Sequence, residues 1–212
     1  MDLPPKQTNY QIALDQALEG ARKRTPESIV ALGARRTADG CYDLPVLNTQ
    51  LTLNLPEGTI TRPVSAREDD ADDGSVGLPW QVMALHYIAA PSVCPEAAQW
   101  LAFADFVEIR GYESVYRGRV LGRLCATVGR DEGKFTDACR RLGAEPVALG
   151  DKGFRFQVFP HLAIAIAWYR GDDEFPPNAT FLYPDNILTF LPLEDVIVLS
   201  ECLVSRLQGK GW

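Results

Sequence analysis

Two histidines, two methionines and five scattered cysteines are all the imidazole and sulfur chemistry that 212 residues offer. What they fail to form excludes several functions. Cys41, Cys94, Cys125, Cys139 and Cys202 contain no Cys-x-x-Cys pair and stand at no zinc spacing from His86 or His161, so no metal site is expected. An odd, dispersed set reads as reduced thiols. The start Met1-Asp2-Leu3-Pro4-Pro5-Lys6 lacks the charged-then-apolar order of a secretory leader, and the expectation is a cytoplasmic protein. Long apolar runs are also missing: Gln7 to Arg24 is amphipathic, and nothing else has the length of a bilayer span. Positive charge is in short supply, with 21 Lys and Arg against 28 Asp and Glu and a net charge of -7, which argues against nucleic acid as a partner.

Phosphate and nucleophile motifs are equally absent. Gly118-Arg119-Val120-Leu121-Gly122 is not followed by the Gly-Lys-Ser or Gly-Lys-Thr of a phosphate loop. Asp73-Gly74-Ser75-Val76-Gly77 lacks the first glycine of a nucleophile elbow, and no dinucleotide fingerprint exists. The acidic stretch from Asp69 places Gly74 at the sixth position of a calcium loop, but Ala71 takes the third and Trp80 the twelfth, where a bidentate acid is needed.

What is present is an ordinary folding sequence, 46% hydrophobic and 23% charged, of a length suited to one domain. Tyr10, Leu14, Ala17, Leu18 and Ala21 recur at helical spacing, and Thr25-Pro26-Glu27 is a helix start with a capping hydroxyl, a proline at the first position and an acid in the first turn. Period-two alternation through Leu51, Leu53 and Leu55, with a turn at Pro56-Glu57-Gly58, predicts a strand meander between Cys41 and Val64. Residues 65–77 read as an exposed acidic loop. Helices are predicted around Leu78 to Ala89, around Leu121, Leu124, Cys125 and Val128, and from Phe135 to Leu142, while Trp100 to Ile109 suits either a strand or a short helix. Phe154 to Phe159 and Leu162 to Trp168 read as central strands joined at Pro160-His161, Ala179 to Tyr183 as a third, and Leu193 to Leu207 as a closing helix. The whole is one α+β domain: helices and meander at 8–64, the acidic loop, a helical segment at 78–143, and strands and helix at 153–209. Its sheet is mainly antiparallel, from two groups of strands, with helices on one face.

The segments Leu85-His86-Tyr87, Tyr116-Arg117-Gly118-Arg119, Arg141-Leu142-Gly143-Ala144-Glu145-Pro146, Trp168 through Pro177, and Leu193-Glu194-Asp195 together resemble domain of unknown function 3786, a family of anaerobic bacteria and archaea. The resemblance runs from about Ala13 to Leu207. It brings no activity. Some relatives look like fusions to an iron–sulphur domain of the type found in corrinoid proteins, which implies a link to anaerobic one-carbon or redox metabolism, although the four-cysteine segment of that domain is absent here.

Two constellations carry the functional expectation. Asp172, Asp173 and Glu174 sit on a turn between Gly171 and Phe175-Pro176-Pro177, where they form either an oxygen cluster for a hard cation or a solvated hairpin. Tyr169 and Arg170 lie beside them, and His161 with Glu174 is the pair to examine for general-base work. The second constellation is basic: Tyr116, Arg117, Arg119 and Arg123 lie in the segment Arg110 to Arg141, suited to a phosphate, a carboxylate or an acidic partner. A thiol nucleophile is not expected at Cys125 or Cys139, which fall on apolar helix faces. The preferred expectation is an accessory or binding protein that holds a small anionic ligand, or an iron–sulphur or corrinoid protein partner, near these two constellations. The alternative is a carboxylate-based, metal-assisted hydrolase or lyase acting through the acidic hairpin.

Overall fold

The strand Leu162–Tyr169 sets the architecture, because every second residue is bulky and every residue between is alanine. Ile164, Ile166 and Trp168 point to one side, Ala163, Ala165 and Ala167 to the other. In the computed structural model, which describes residues 5–64, 73–93, 96–106 and 112–212, this strand is the centre of a five-stranded sheet. Arg67 to Asp72 of the acidic loop, Cys94 and Arg110 lie outside the described residues.

In chain order the elements are α1 (Pro5–Arg22), α2 (Pro26–Ala31), β1 (Arg35–Arg36), β2 (Tyr42–Val46), β3 (Thr49–Asn54), β4 (Thr59–Thr61), α3 (Leu78–Ala89), β5 (Trp100–Ala102), α4 (Glu113–Tyr116), α5 (Arg123–Ala126), α6 (Glu132–Arg141), β6 (Glu145–Val147), β7 (Lys152–Phe159), β8 (Leu162–Tyr169), β9 (Asn178–Pro184), α7 (Ile187–Phe190) and α8 (Leu193–Leu207). The strands form two antiparallel sheets, β1-β2-β3-β4 and β5-β9-β8-β7-β6. The chain is therefore α+β, and the meander is the smaller sheet. It joins the larger one along β7, where the Leu47 N–H donates to the Val158 carbonyl at 3.1 Å.

Local sequence explains the starts and stops. Thr25 caps α2 with its hydroxyl, which accepts from the Ser28 N–H at 3.3 Å. Gly33 follows that helix at φ +86°, and an added Cβ would meet the Pro160 Cβ at 2.4 Å. Only glycine lets the β7–β8 corner approach so closely. Asp131 caps α6 through the Lys134 N–H at 2.8 Å. Between α4 and α5 the helix does not break but widens into a π-helical stretch, Arg117–Gly122. That widening shifts the buried positions to Tyr116, Val120 and Leu124, leaving Leu121 and Cys125 half-buried.

One face of the large sheet carries Phe154, Phe156, Ile164, Ile166, Trp168, Phe181 and Tyr183, each almost completely buried. The helices cover this face. Phe135 of α6 packs against Phe154 and Trp168, and Trp168 Nε1 donates to the Gly129 carbonyl at 2.7 Å. Tyr183 Oη lies 2.7 Å from Tyr116 Oη and 2.6 Å from Ser200 Oγ on α8, a buried hydroxyl chain that ends when Ser200 donates to the Val196 carbonyl. Burial pushes the Tyr116 and Tyr183 phenols well above their ordinary value, so both stay neutral.

Candidate functional site

The opposite face of the same sheet is built from small residues at its centre and larger ones at its margins. Antiparallel partners lie on one face, so the register places Trp100, Pro184, Ala163 and Gln157 in one row, and Ala102, Leu182, Ala165, Arg155 and Glu145 in the next. The β6–β7 connection closes one end of this face: Leu149 rests against Gly153, where an added Cβ would meet the Leu149 Cβ at 2.7 Å. Toward the other end the face lies open.

There the floor of Ala163 is bordered by Trp100, Arg155, His161, Val93, Glu96 and Phe190, around a cleft of about 510 Å³. A second hollow of about 280 Å³ over Ala165 shares Trp100 and Arg155 with it. Trp100 is 42% exposed and Val93 88%, a concentration of apolar surface beside a concavity. His161 is fixed at the corner by two contacts. Its N–H donates to Tyr87 Oη at 3.0 Å, and Nε2 stands 3.1 Å from the Ala31 carbonyl. A carbonyl only accepts, so Nε2 carries a hydrogen in this contact.

The acidic hairpin is elsewhere. His161 precedes β8 and Asp172 follows it, so the eight-residue strand holds them roughly 25 Å apart, and the expected His161–Glu174 pair does not form. Asp172 closes the turn itself: Oδ1 accepts from the N–H groups of Phe175 at 2.7 Å and Glu174 at 2.9 Å. Those two backbone donors, Phe175 first, hold its carboxyl below the ordinary range. Asp172, Asp173 and Glu174 are all exposed, and Tyr169 is exposed beside them. Arg170 pairs with Glu132, which also meets Lys152 at 3.2 Å. That arginine, ahead of the lysine, lowers the Glu132 pKa. The structure thus brings Arg170 to a helix carboxylate rather than to its neighbours in sequence.

The basic constellation is also largely engaged. Arg117 bonds Glu113 at 3.0 Å, Arg119 stands 3.8 Å from Glu201, and Arg123 reaches the Glu201 carbonyl and Ser205 Oγ. Tyr116 is buried in the hydroxyl chain. Arg117 borders a small hollow with Phe103 and Phe181, and Arg170 and Asp172 a separate one with Trp168 and Pro176. Cys41, Cys125, Cys139 and Cys202 are free thiols, and burial raises Cys139 far above the ordinary value and pushes Cys202 up to about 12.

One pair escaped sequence reasoning. His86 Nδ1 on α3 lies 2.6 Å from Asp195 Oδ2 in the first turn of α8, and both are largely shielded. The separation of 109 residues hides it, although both belong to short segments that carry the family resemblance. Among the described residues, no group of three or more His, Cys, Asp or Glu side chains is arranged to hold a metal ion, and no helix is long and apolar enough to cross a membrane.

Comparison with curated proteins and with solved structures finds no match. A family model does match, over residues 25–206. That span holds both sheets, the open cleft, the acidic hairpin and the His86–Asp195 pair, and the chain belongs to the family described as Domain of unknown function (DUF3786).

Proposed function

We propose that the protein is an accessory or binding protein whose small-molecule ligand lies in the cleft over Ala163. The observation that carries this reading is the cleft itself: about 510 Å³, with an exposed tryptophan at its rim and a pre-formed floor. Small-molecule sites fall at about 300–1,000 Å³ and combine an apolar lining with a few polar groups. Arg155, His161, Glu96, Ser92 and Asn186 supply the polar groups here. The link to anaerobic one-carbon or redox metabolism that the resemblance implies suggests what a screen should include: small organic anions, corrinoids and iron–sulphur protein partners. No geometric observation favours the hydrolase or lyase reading, because the three hairpin carboxylates lie exposed and one of them is engaged in the turn.

A thermal-shift screen of such ligands tests the proposal, with Ala163→Leu as control. The leucine would rise from the floor into the cleft. A ligand at a hundred times its Kd stabilises the folded state by about 2.7 kcal/mol. The expected result is a ligand that raises the Tm of the wild type and not of A163L. Ligands that stabilise both proteins equally would place binding elsewhere and overturn the reading.

A further inference from the structure

Resting on the binding reading, the geometry points to a ligand class, and we infer that the cleft takes a planar nitrogen heteroaromatic whose ring or exocyclic N–H groups donate to the protein. Arg155 is the first reason. Its Nη1 donates to Glu145 Oε2 at 3.3 Å and its Nη2 to Gln157 Oε1 at 2.8 Å, so both ends of the fork are held by neighbours on the same sheet. The charge is already met by Glu145, and what remains for a ligand is mainly the flat face of the guanidinium.

Trp100 is the second reason. It and Arg155 border both hollows on the open face. Among the described residues the guanidinium found over an aromatic ring is that of Arg206 over Trp212, at 4.5 Å, so Trp100 and Arg155 stand apart. Three strand spacings, roughly 14 Å, separate their backbones across a floor made by Pro184 and Leu182 of β9 and by Ala163 and Ala165 of β8. A flat ring entering that space meets an indole and a guanidinium, both of which favour stacking.

Two of the polar groups, His161 and Glu96, supply the third reason, because both can accept. In the neutral tautomer that donates from Nε2 to the Ala31 carbonyl, His161 Nδ1 is the nitrogen that accepts. Glu96 is exposed at the rim and accepts only. With Arg155 paired and a net charge of -7, an anion gains little here and is repelled at long range. A ring edge rich in N–H groups satisfies both acceptors.

Adenine, benzoate and hexanoate separate the alternatives when titrated into the 15N-labelled full chain, with the Trp100 indole signal and the Ala163 and Ala165 amides as reporters. Adenine has the flat ring and the donors, benzoate the flat ring and an anion, hexanoate an anion alone. The expected result is saturable shifts with adenine at these residues, weakened by about tenfold or more in Trp100→Ala and weakened also in His161→Phe, which keeps a ring but removes the acceptor. Signals of the helix-covered face serve as the check that each variant is folded. If benzoate or hexanoate binds at these residues as tightly as adenine, the ligand class is wrong and the binding reading stands. If adenine shifts none of them, the class is overturned, and the cleft itself is judged separately by whether A163L abolishes stabilisation by any other ligand.

Discussion

The two faces of the five-stranded sheet are written by alternate residues of β8 and have opposite consequences. Ile164, Ile166 and Trp168 meet helices and leave no room, whereas Ala163, Ala165 and Ala167, interleaved with them, leave a floor. Each large apolar side chain buried on the first face stabilises the fold by about 1.5–3 kcal/mol. A methyl group contributes far less, and the space it leaves is what a ligand needs. The difference teaches that stability and binding capacity are separated here by side-chain size at alternate positions of one strand.

Substitutions sharpen this contrast. Trp168→Ala removes a buried ring and its bond to Gly129, and should cost about 3–5 kcal/mol in denaturant unfolding. A much smaller loss would mean that the helices do not depend on that face. Gly33→Ala comes next, at about 2–3 kcal/mol, since φ +86° and the contact with Pro160 both oppose a side chain. Its effect should appear as well in the amide signals of His161 at the cleft corner. Tyr183→Phe cuts the centre of the hydroxyl chain and strands the Tyr116 hydroxyl, for about 1–2 kcal/mol by the same unfolding measurement. On the open face, Trp100→Ala should change stability by less than about 1 kcal/mol, so that its loss is seen in ligand titration and not in unfolding. A large destabilisation would show that the open face, too, is structural.

The smallest effect is expected at the hairpin. Backbone donors hold the Asp172 pKa below the value it has in the unfolded chain, so its contribution is complete above the unfolded pKa and is lost as pH falls through the folded one. Melting curves of wild type and Asp172→Ala should converge at strongly acid pH and part slightly as pH rises past the ordinary carboxylate range.

Much of the fold was legible because strong local signals agree with tertiary demand. Thr25-Pro26 marked α2, Leu51-Leu53-Leu55 marked β3, and the run Leu193 to Leu207 marked α8. The short strands β1 and β6 were not legible: two residues give no period, and Pro146 sits in β6 against strand propensity, tolerated because β6 is an edge. β1 is held by its pairing with β2, beside which Arg35 meets Asp43 at 2.6 Å. The cleft was in plain view as the alternation Ala163-Ile164-Ala165-Ile166-Ala167, which reads as a continuous apolar run unless the alanines are taken as a face of their own. Asp172, Asp173 and Glu174 give the stronger signal in sequence because chemistry-bearing residues cluster there, but all three are exposed. His86 and Asp195 could not be paired without knowing that α3 crosses the start of α8.

Tyr87 ties together parts of the chain that are far apart in sequence. Its hydroxyl donates to the Leu32 carbonyl, 55 residues away, and accepts from the His161 N–H, 74 residues away, while its ring stacks on Phe159 at 4.5 Å. Both closures are long, and long closures form slowly because chain entropy must be lost before the contact is made. The corner that holds His161 is therefore completed only when the first, middle and last thirds of the polypeptide have met. A chain in which these three parts have not met lacks this corner, so occupancy of the cleft would report that they have.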